Sequence, residues 1–241
     1  GDNGFDQVPF GDIEALRAAI SENTAGIVLE PVQGEGGIRP ADKAYLRSVR
    51  ELCNEKGILL LFDEVQCGIA RTGSLFAYEQ LGVEPDILAS AKGLGGGIPI
   101  GACLAKAEVA QAMTAGSHGS TFGGNPLATA VGNAVLDVVL NKDFLIDVQH
   151  AGFHLRSGLE DLCARFPSQL KGVSGIGLML GLQCHVDAAM LIQRAQDKGL
   201  LLVKAGGNSI RFLPPLIVSH TEIDEALALF EQALVASADI A

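Results

Sequence analysis

Short β-prone apolar runs alternate with stretches of helical periodicity through the first half of this 241-residue sequence. That alternation narrows the chain to βαβ units around a parallel sheet. Residues 26–29 read as a strand after a helix over 12–22, in which Ile13, Leu16, Ala19 and Ile20 share a face. Residues 41–56 repeat the pattern: Asp42 lies in the first turn, Tyr45, Leu46, Val49 and Leu52 line one face, and Gly57 stops the helix. The run 58–62 is apolar throughout, as a strand buried on both faces should be. A third unit passes from a helix over 74–81 into a strand over 87–90, and 100–105 reads as a further strand. Helices follow over 126–140 and 144–166, the second stopped by Pro167. The remainder reads as strands over 173–175 and 178–184, a helix over 188–198, strands around Leu200 and Ile210, and a helix over 221–236. The expected fold class is α/β: a large domain with a mostly parallel sheet over 1–143, then a linker helix and a smaller α+β domain over 144–241.

Composition narrows the function classes. Apolar residues make up 48% and charged residues 19%, which excludes a disordered chain. The net charge of -11 argues against a nucleic-acid or anionic-membrane surface, since both need a basic footprint, and leaves small molecules as the expected partners. Cys53, Cys67, Cys103, Cys163 and Cys184 are odd in number and include no CxxC pair, so neither a disulfide framework nor a zinc site is implied. They suit a reducing cytoplasm. The five histidines show no metal-ligand spacing, and no metal is assigned. No apolar run reaches the roughly 18 residues that span a bilayer. The sequence starts without Met on a polar, glycine-rich stretch, partway into what reads as a loop, as a fragment or a processed product would.

The three successive strands end in Glu30, Asp63 and Lys92, and ligands in open α/β sheets bind beyond the carboxyl ends of the strands. An acid and a lysine there match what a pyridoxal-phosphate (PLP) enzyme needs. Taken singly, each residue has an ordinary reading. Lys92 before a glycine run can be a solvated loop residue, Asp63 and Glu64 can be an N-cap pair for the next helix, and residues 93–97 have neither the GxGxxG nor the Walker spacing. Periodicity alone leaves function open.

Longer motifs carry more. Glu30-Pro31-Val32-Gln33-Gly34-Glu35-Gly36-Gly37 is followed by Leu61-Phe62-Asp63-Glu64-Val65-Gln66-Cys67-Gly68-Ile69-Ala70-Arg71-Thr72-Gly73. Ser90-Ala91-Lys92-Gly93-Leu94 and His118-Gly119-Ser120-Thr121-Phe122-Gly123-Gly124-Asn125-Pro126 come next, in that order. Together they resemble the class III (fold type I) aminotransferases over nearly the whole chain. The resemblance implies a PLP cofactor, with Lys92 as the residue that bonds it. It implies Asp63 on the pyridine nitrogen, Val65 on the ring face, Gln66 at the phenolic oxygen, and Ser120 and Thr121 at the phosphate across a homodimer interface. It implies Glu35 and Arg211 at the substrate: the two neutralise each other when an ω-amino donor is bound, and Arg211 turns to the α-carboxylate of glutamate or 2-oxoglutarate. Arg71 is expected to order the loop after Gln66.

The stretches 63–68 and 75–79 look most like members that use N2-acetylornithine with 2-oxoglutarate, a step of arginine biosynthesis; ornithine, succinylornithine and 4-aminobutyrate donors share the core motifs. The family also carries, upstream of these motifs, a phosphate-binding turn, a ring-stacking aromatic residue and a carboxylate-binding arginine, none of which is in this sequence. The resemblance therefore implies that the chain alone binds PLP weakly and catalyses poorly unless that part is supplied. The alternatives are a non-catalytic dimerising half, or a PLP enzyme of the same fold with another outcome, such as decarboxylation.

Overall fold

The computed structural model describes residues 4–238. In chain order the elements are α1 (Ile13–Ala19), β1 (Gly26–Leu29), β2 (Val32–Gln33), β3 (Arg39–Pro40), α2 (Lys43–Lys56), β4 (Leu59–Asp63), α3 (Ala77–Leu81) and β5 (Ile87–Ser90). A 3-10 turn (Lys92–Gly95) leads to β6 (Ala102–Ala105), α4 (Ala107–Ala110), α5 (Pro126–Val139) and α6 (Lys142–Arg165). The chain ends through β7 (Leu170–Ile176), β8 (Met179–Cys184), α7 (Ala188–Asp197), β9 (Val203–Ala205), β10 (Ser209–Phe212) and α8 (His220–Ala238).

Side-chain chemistry sets the helix ends. Asp12 accepts from Ala15 N–H and starts α1, and Asp42 accepts from Ala44 and Tyr45 N–H and starts α2. Gly57, left-handed at φ 67°, ends α2. The helix expected from 74 begins only at Ala77, because Ser74 lies in the irregular stretch that precedes it.

Contacts group into two compact units that interleave in sequence: one holds residues up to Pro31, Ala41–Gln66 and Phe76–Leu136, the other Val32–Pro40, Cys67–Leu75 and residues from Asp137 onward. The first unit is built on a four-stranded sheet in the order β1-β4-β5-β6. The β1–β4 and β4–β5 pairs are parallel and β5–β6 is antiparallel. Leu46, Val49 and Leu52 of α2 and Leu60 and Phe62 of β4 are buried at its centre. The other unit carries an antiparallel sheet in the order β7-β8-β10-β9, and α6, α7 and α8 contribute to the core on it. Leu159, Leu180, Leu182, Leu191, Ile210 and Phe230 are wholly buried in that core.

The short hairpin β2–β3 was not read from the sequence. Two residues per strand give too little alternation to detect, and Ile38 between the strands takes a left-handed φ of 55°.

Candidate functional site

In the first unit, the parallel register brings the strand ends to one edge. Leu29 pairs with Phe62 and Asp63 pairs with Ala89, so Glu30 follows β1 opposite Asp63, and the chain runs from Ala89 through Ser90 and Ala91 to Lys92. Lys92 opens the 3-10 turn with φ 44°, a left-handed conformation that costs a residue with a Cβ on the order of 1–2 kcal/mol. Backbone outliers of this kind concentrate where function dictates geometry. The lysine is exposed.

Past β4 the chain turns. Asp63 is half-buried and its Oδ1 accepts from Val65 N–H at 2.9 Å. Val65 and Gln66 are also half-buried, and Gln66 Oε1 is buried with no hydrogen-bond partner among the described residues. A buried, unpaired amide oxygen costs about 1–3 kcal/mol, so the turn presents polar capacity that a bound group could meet. Glu64, wholly buried, accepts from Ala77 N–H and Tyr78 N–H at 2.8 Å each. The sequence offered Asp63 and Glu64 as an N-cap pair for the next helix; Glu64 does meet the first N–H groups of α3, but from 13 residues upstream rather than from the N-cap position, which Phe76 holds.

Below that edge, Asp86 locks the sheet to its surroundings. Its Oδ2 accepts from Leu60 N–H and from Arg50, both at 2.8 Å, and its Oδ1 accepts from Lys106 at 2.9 Å. Burial works to raise this carboxyl, but the Leu60, Arg50 and Lys106 bonds outweigh it and hold the pKa below the ordinary carboxylate value. Sequence reasoning passed over this residue, because its partners come from α2, β4 and the junction between β6 and α4, far apart in the chain.

Ser120 and Thr121 lie in an exposed loop before α5. Ser120 Oγ accepts from Gly123 N–H at 2.9 Å, Asn125 Oδ1 accepts from Ala128 N–H at 3.0 Å, and Phe122 between them is 82% exposed. The loop is thus held in shape while its side chains face outward.

In the second unit, Arg211 Nη1 donates to Glu35 Oε1 at 2.5 Å and Arg211 Nη2 donates to the Lys204 carbonyl at 3.3 Å. The pair is lopsided: the arginine side chain is 9% exposed and the glutamate 79%. Close backbone approach makes the meeting possible. Gly206 N–H donates to the Glu35 carbonyl at 2.8 Å, and a Cβ on Gly37, which sits at φ 104°, would come within 2.7 Å of the Gly206 oxygen. Arg71, also in this unit, donates from Nη1 to the carbonyls of Pro214 at 2.6 Å and Leu178 at 3.3 Å, and burial lowers its pKa.

Among the described residues no three or more His, Cys, Asp or Glu form a cluster able to hold a metal ion, and no helix is long and apolar enough to cross a membrane.

Comparison with known proteins fits this arrangement. The family description "Aminotransferase class-III" matches residues 5–234. The acetylornithine aminotransferase of Brucella melitensis biotype 1 is 56% identical over 231 residues, which are 96% of this chain and 57% of that relative. The chain therefore spans a little over half the length of the curated relative. The solved N-acetylornithine aminotransferase of Stenotrophomonas maltophilia is 36% identical with a TM-score of 0.89, over 99% of this chain and 66% of that one. An ornithine aminotransferase of Toxoplasma gondii, described as having partial occupancy of PLP at the protein active site, is 34% identical with a TM-score of 0.90, over 96% of this chain and 56% of that one.

Proposed function

Since this chain belongs to the class III aminotransferases, we propose that it carries the lysine-bearing part of a PLP enzyme that moves the terminal amino group of N2-acetylornithine to 2-oxoglutarate. The products are glutamate and the N-acetylated semialdehyde. The observation that carries this reading is the shared strand edge of the first unit: Asp63 ends β4, Lys92 follows the neighbouring parallel β5 by two residues, and the turn after Asp63 holds a buried Gln66 oxygen without a hydrogen-bond partner among the described residues. These residues fit the group: an amine to bond it, a carboxylate for a pyridine nitrogen, and a buried amide with unmet hydrogen-bonding capacity.

PLP supplies the electron sink and the carbonyl that receives the amino group. Lys92 Nζ is the group that would bond the cofactor, and the same amine would serve as the base that moves the proton off the donor's amine-bearing carbon. Asp63 would hold the pyridine nitrogen in its protonated form, Val65 would take the ring face and Gln66 the phenolic oxygen. Ser120 and Thr121, exposed in this chain, serve the phosphate of a second copy in a homodimer. Glu35 and Arg211 form the substrate switch, in which the guanidinium leaves Glu35 to grip the α-carboxylate of 2-oxoglutarate with two parallel bonds. The partners are small molecules, the compartment is the cytoplasm, and the division into a cofactor domain (1–143) and a linker helix with small domain (144–241) belongs to the same proposal.

The test is glutamate formation from N2-acetylornithine and 2-oxoglutarate, with the chain alone and with the N-terminal region of a relative supplied. Glutamate that appears on supplementation and disappears with Lys92→Ala supports the reading. Faster turnover of ornithine or 4-aminobutyrate would move the donor assignment, and release of carbon dioxide would replace transamination with decarboxylation.

A further inference from the structure

We propose that Glu64 is a positioning residue for the cofactor, acting through Asp63 and the turn that carries Val65 and Gln66; the inference rests on the cofactor reading above. A helix start is ordinarily capped by the residue just before it. Phe76 holds that place for α3 and its phenyl ring makes no capping hydrogen bond. The two leading N–H groups are met instead by the Glu64 carboxylate, which is 0% exposed and 13 and 14 residues upstream. A serine or aspartate at 76 would cap a five-residue helix without burying a remote charge, so capping alone does not account for the arrangement.

What the remote carboxylate adds is a fixed exit for β4. Glu64 N–H donates to the Ala89 carbonyl at 2.9 Å, on the strand that leads to Lys92, while its side chain is tied to the start of α3. The residue directly after Asp63 is thereby clamped at both backbone and side chain. Asp63 Oδ1 in turn holds Val65 N–H, and Gln66 Oε1 stays buried without a partner rather than rotating to solvent. A turn kept against its own polar preference needs an anchor, and Glu64 is the anchor its bonds identify.

Amide hydrogen exchange on this chain without cofactor tests the idea, using Glu64→Gln, which turns an NH2 group toward one of the two N–H donors. We expect faster exchange at Ala77 and Tyr78 and, decisively, at least about tenfold faster exchange at Val65, with Leu60 unchanged. Exchange at Val65 that stays slow while Ala77 and Tyr78 speed up would make Glu64 a helix cap only and overturn the proposal. If Glu64→Gln does not fold, Glu64→Asp, which keeps the charge but shortens the reach, is read in the same way. Borohydride trapping of added PLP at Lys92 is the second readout, and the trapped fraction should fall in the variant relative to the unmodified chain. If the unmodified chain traps none even with a relative's N-terminal region supplied, the cofactor reading fails, and the Val65 result still decides the role of Glu64.

Discussion

The two units of this molecule solve the same problem, a four-stranded sheet with apolar faces, to different degrees. In the second unit every residue of β10 and all but one of β8 are buried, and the apolar stripes of α6, α7 and α8 close the core. In the first unit β6 is exposed along its whole length, Val28 of β1 is 57% exposed and Leu104 of β6 is 47% exposed. Parallel sheets are normally covered on both faces, so the first unit carries apolar surface that it does not itself cover. The proposed cofactor residues lie on the unit whose sheet has a wholly exposed strand, while the proposed substrate switch lies on the unit whose β8 and β10 are closed in its core.

The largest effect is expected at the closed core. Phe230 is wholly buried and meets Phe212 edge-on at 5.5 Å between ring centres, so Phe230→Ala should cost about 3–5 kcal/mol in chemical denaturation. An equal loss from Leu104→Ala would erase the contrast between the units. Next comes Asp86→Asn, which leaves Arg50 and Lys106 without their acid; discounted for the partial exposure of both cations, about 2–3 kcal/mol is expected.

The same carboxyl sets an acid response. Because its pKa in the folded chain lies below the ordinary value, its stabilisation is complete above the unfolded pKa of about 4 and is lost as pH falls through the lower folded value. An acid titration followed by exchange at Leu60 N–H should show this, and Asp86→Asn should flatten it. A loss of Leu60 protection already near neutrality would contradict the assignment.

Arg211→Lys probes the second unit. Loss of the planar fork should raise the KM for 2-oxoglutarate about tenfold or more in the supplemented enzyme, whereas Glu35→Gln should change stability by less than about 1 kcal/mol because Glu35 is 79% exposed. The smallest effect is expected for Leu104→Ser, within about 0.5 kcal/mol, with reduced self-association as its main result.

Much of this was legible in the sequence because it rests on short-range rules. The 3.6-residue stripe of α2 between Asp42 and Gly57, the apolar run of β4 and the alternation that yields parallel pairing all follow from local pattern. The places of Asp63 and Lys92 at strand ends follow from the same alternation. Contacts across long sequence separations were not legible: the 13-residue reach of Glu64 to the start of α3, which local spacing offered only as an N-cap, Asp86 to Leu60, Arg50 and Lys106, and the Gly206 approach to Glu35. No periodicity encodes such pairs. The contact of Glu35 with Arg211, 176 residues apart, was anticipated only through the family motifs.

The most direct test of the central claim is peptide mapping after borohydride reduction of the chain incubated with PLP, with the N-terminal region of a relative supplied. A reduced pyridoxyl group confined to Lys92 and absent in Lys92→Ala is expected. Adducts spread over the exposed lysines without preference for Lys92, or none there at all, would contradict it.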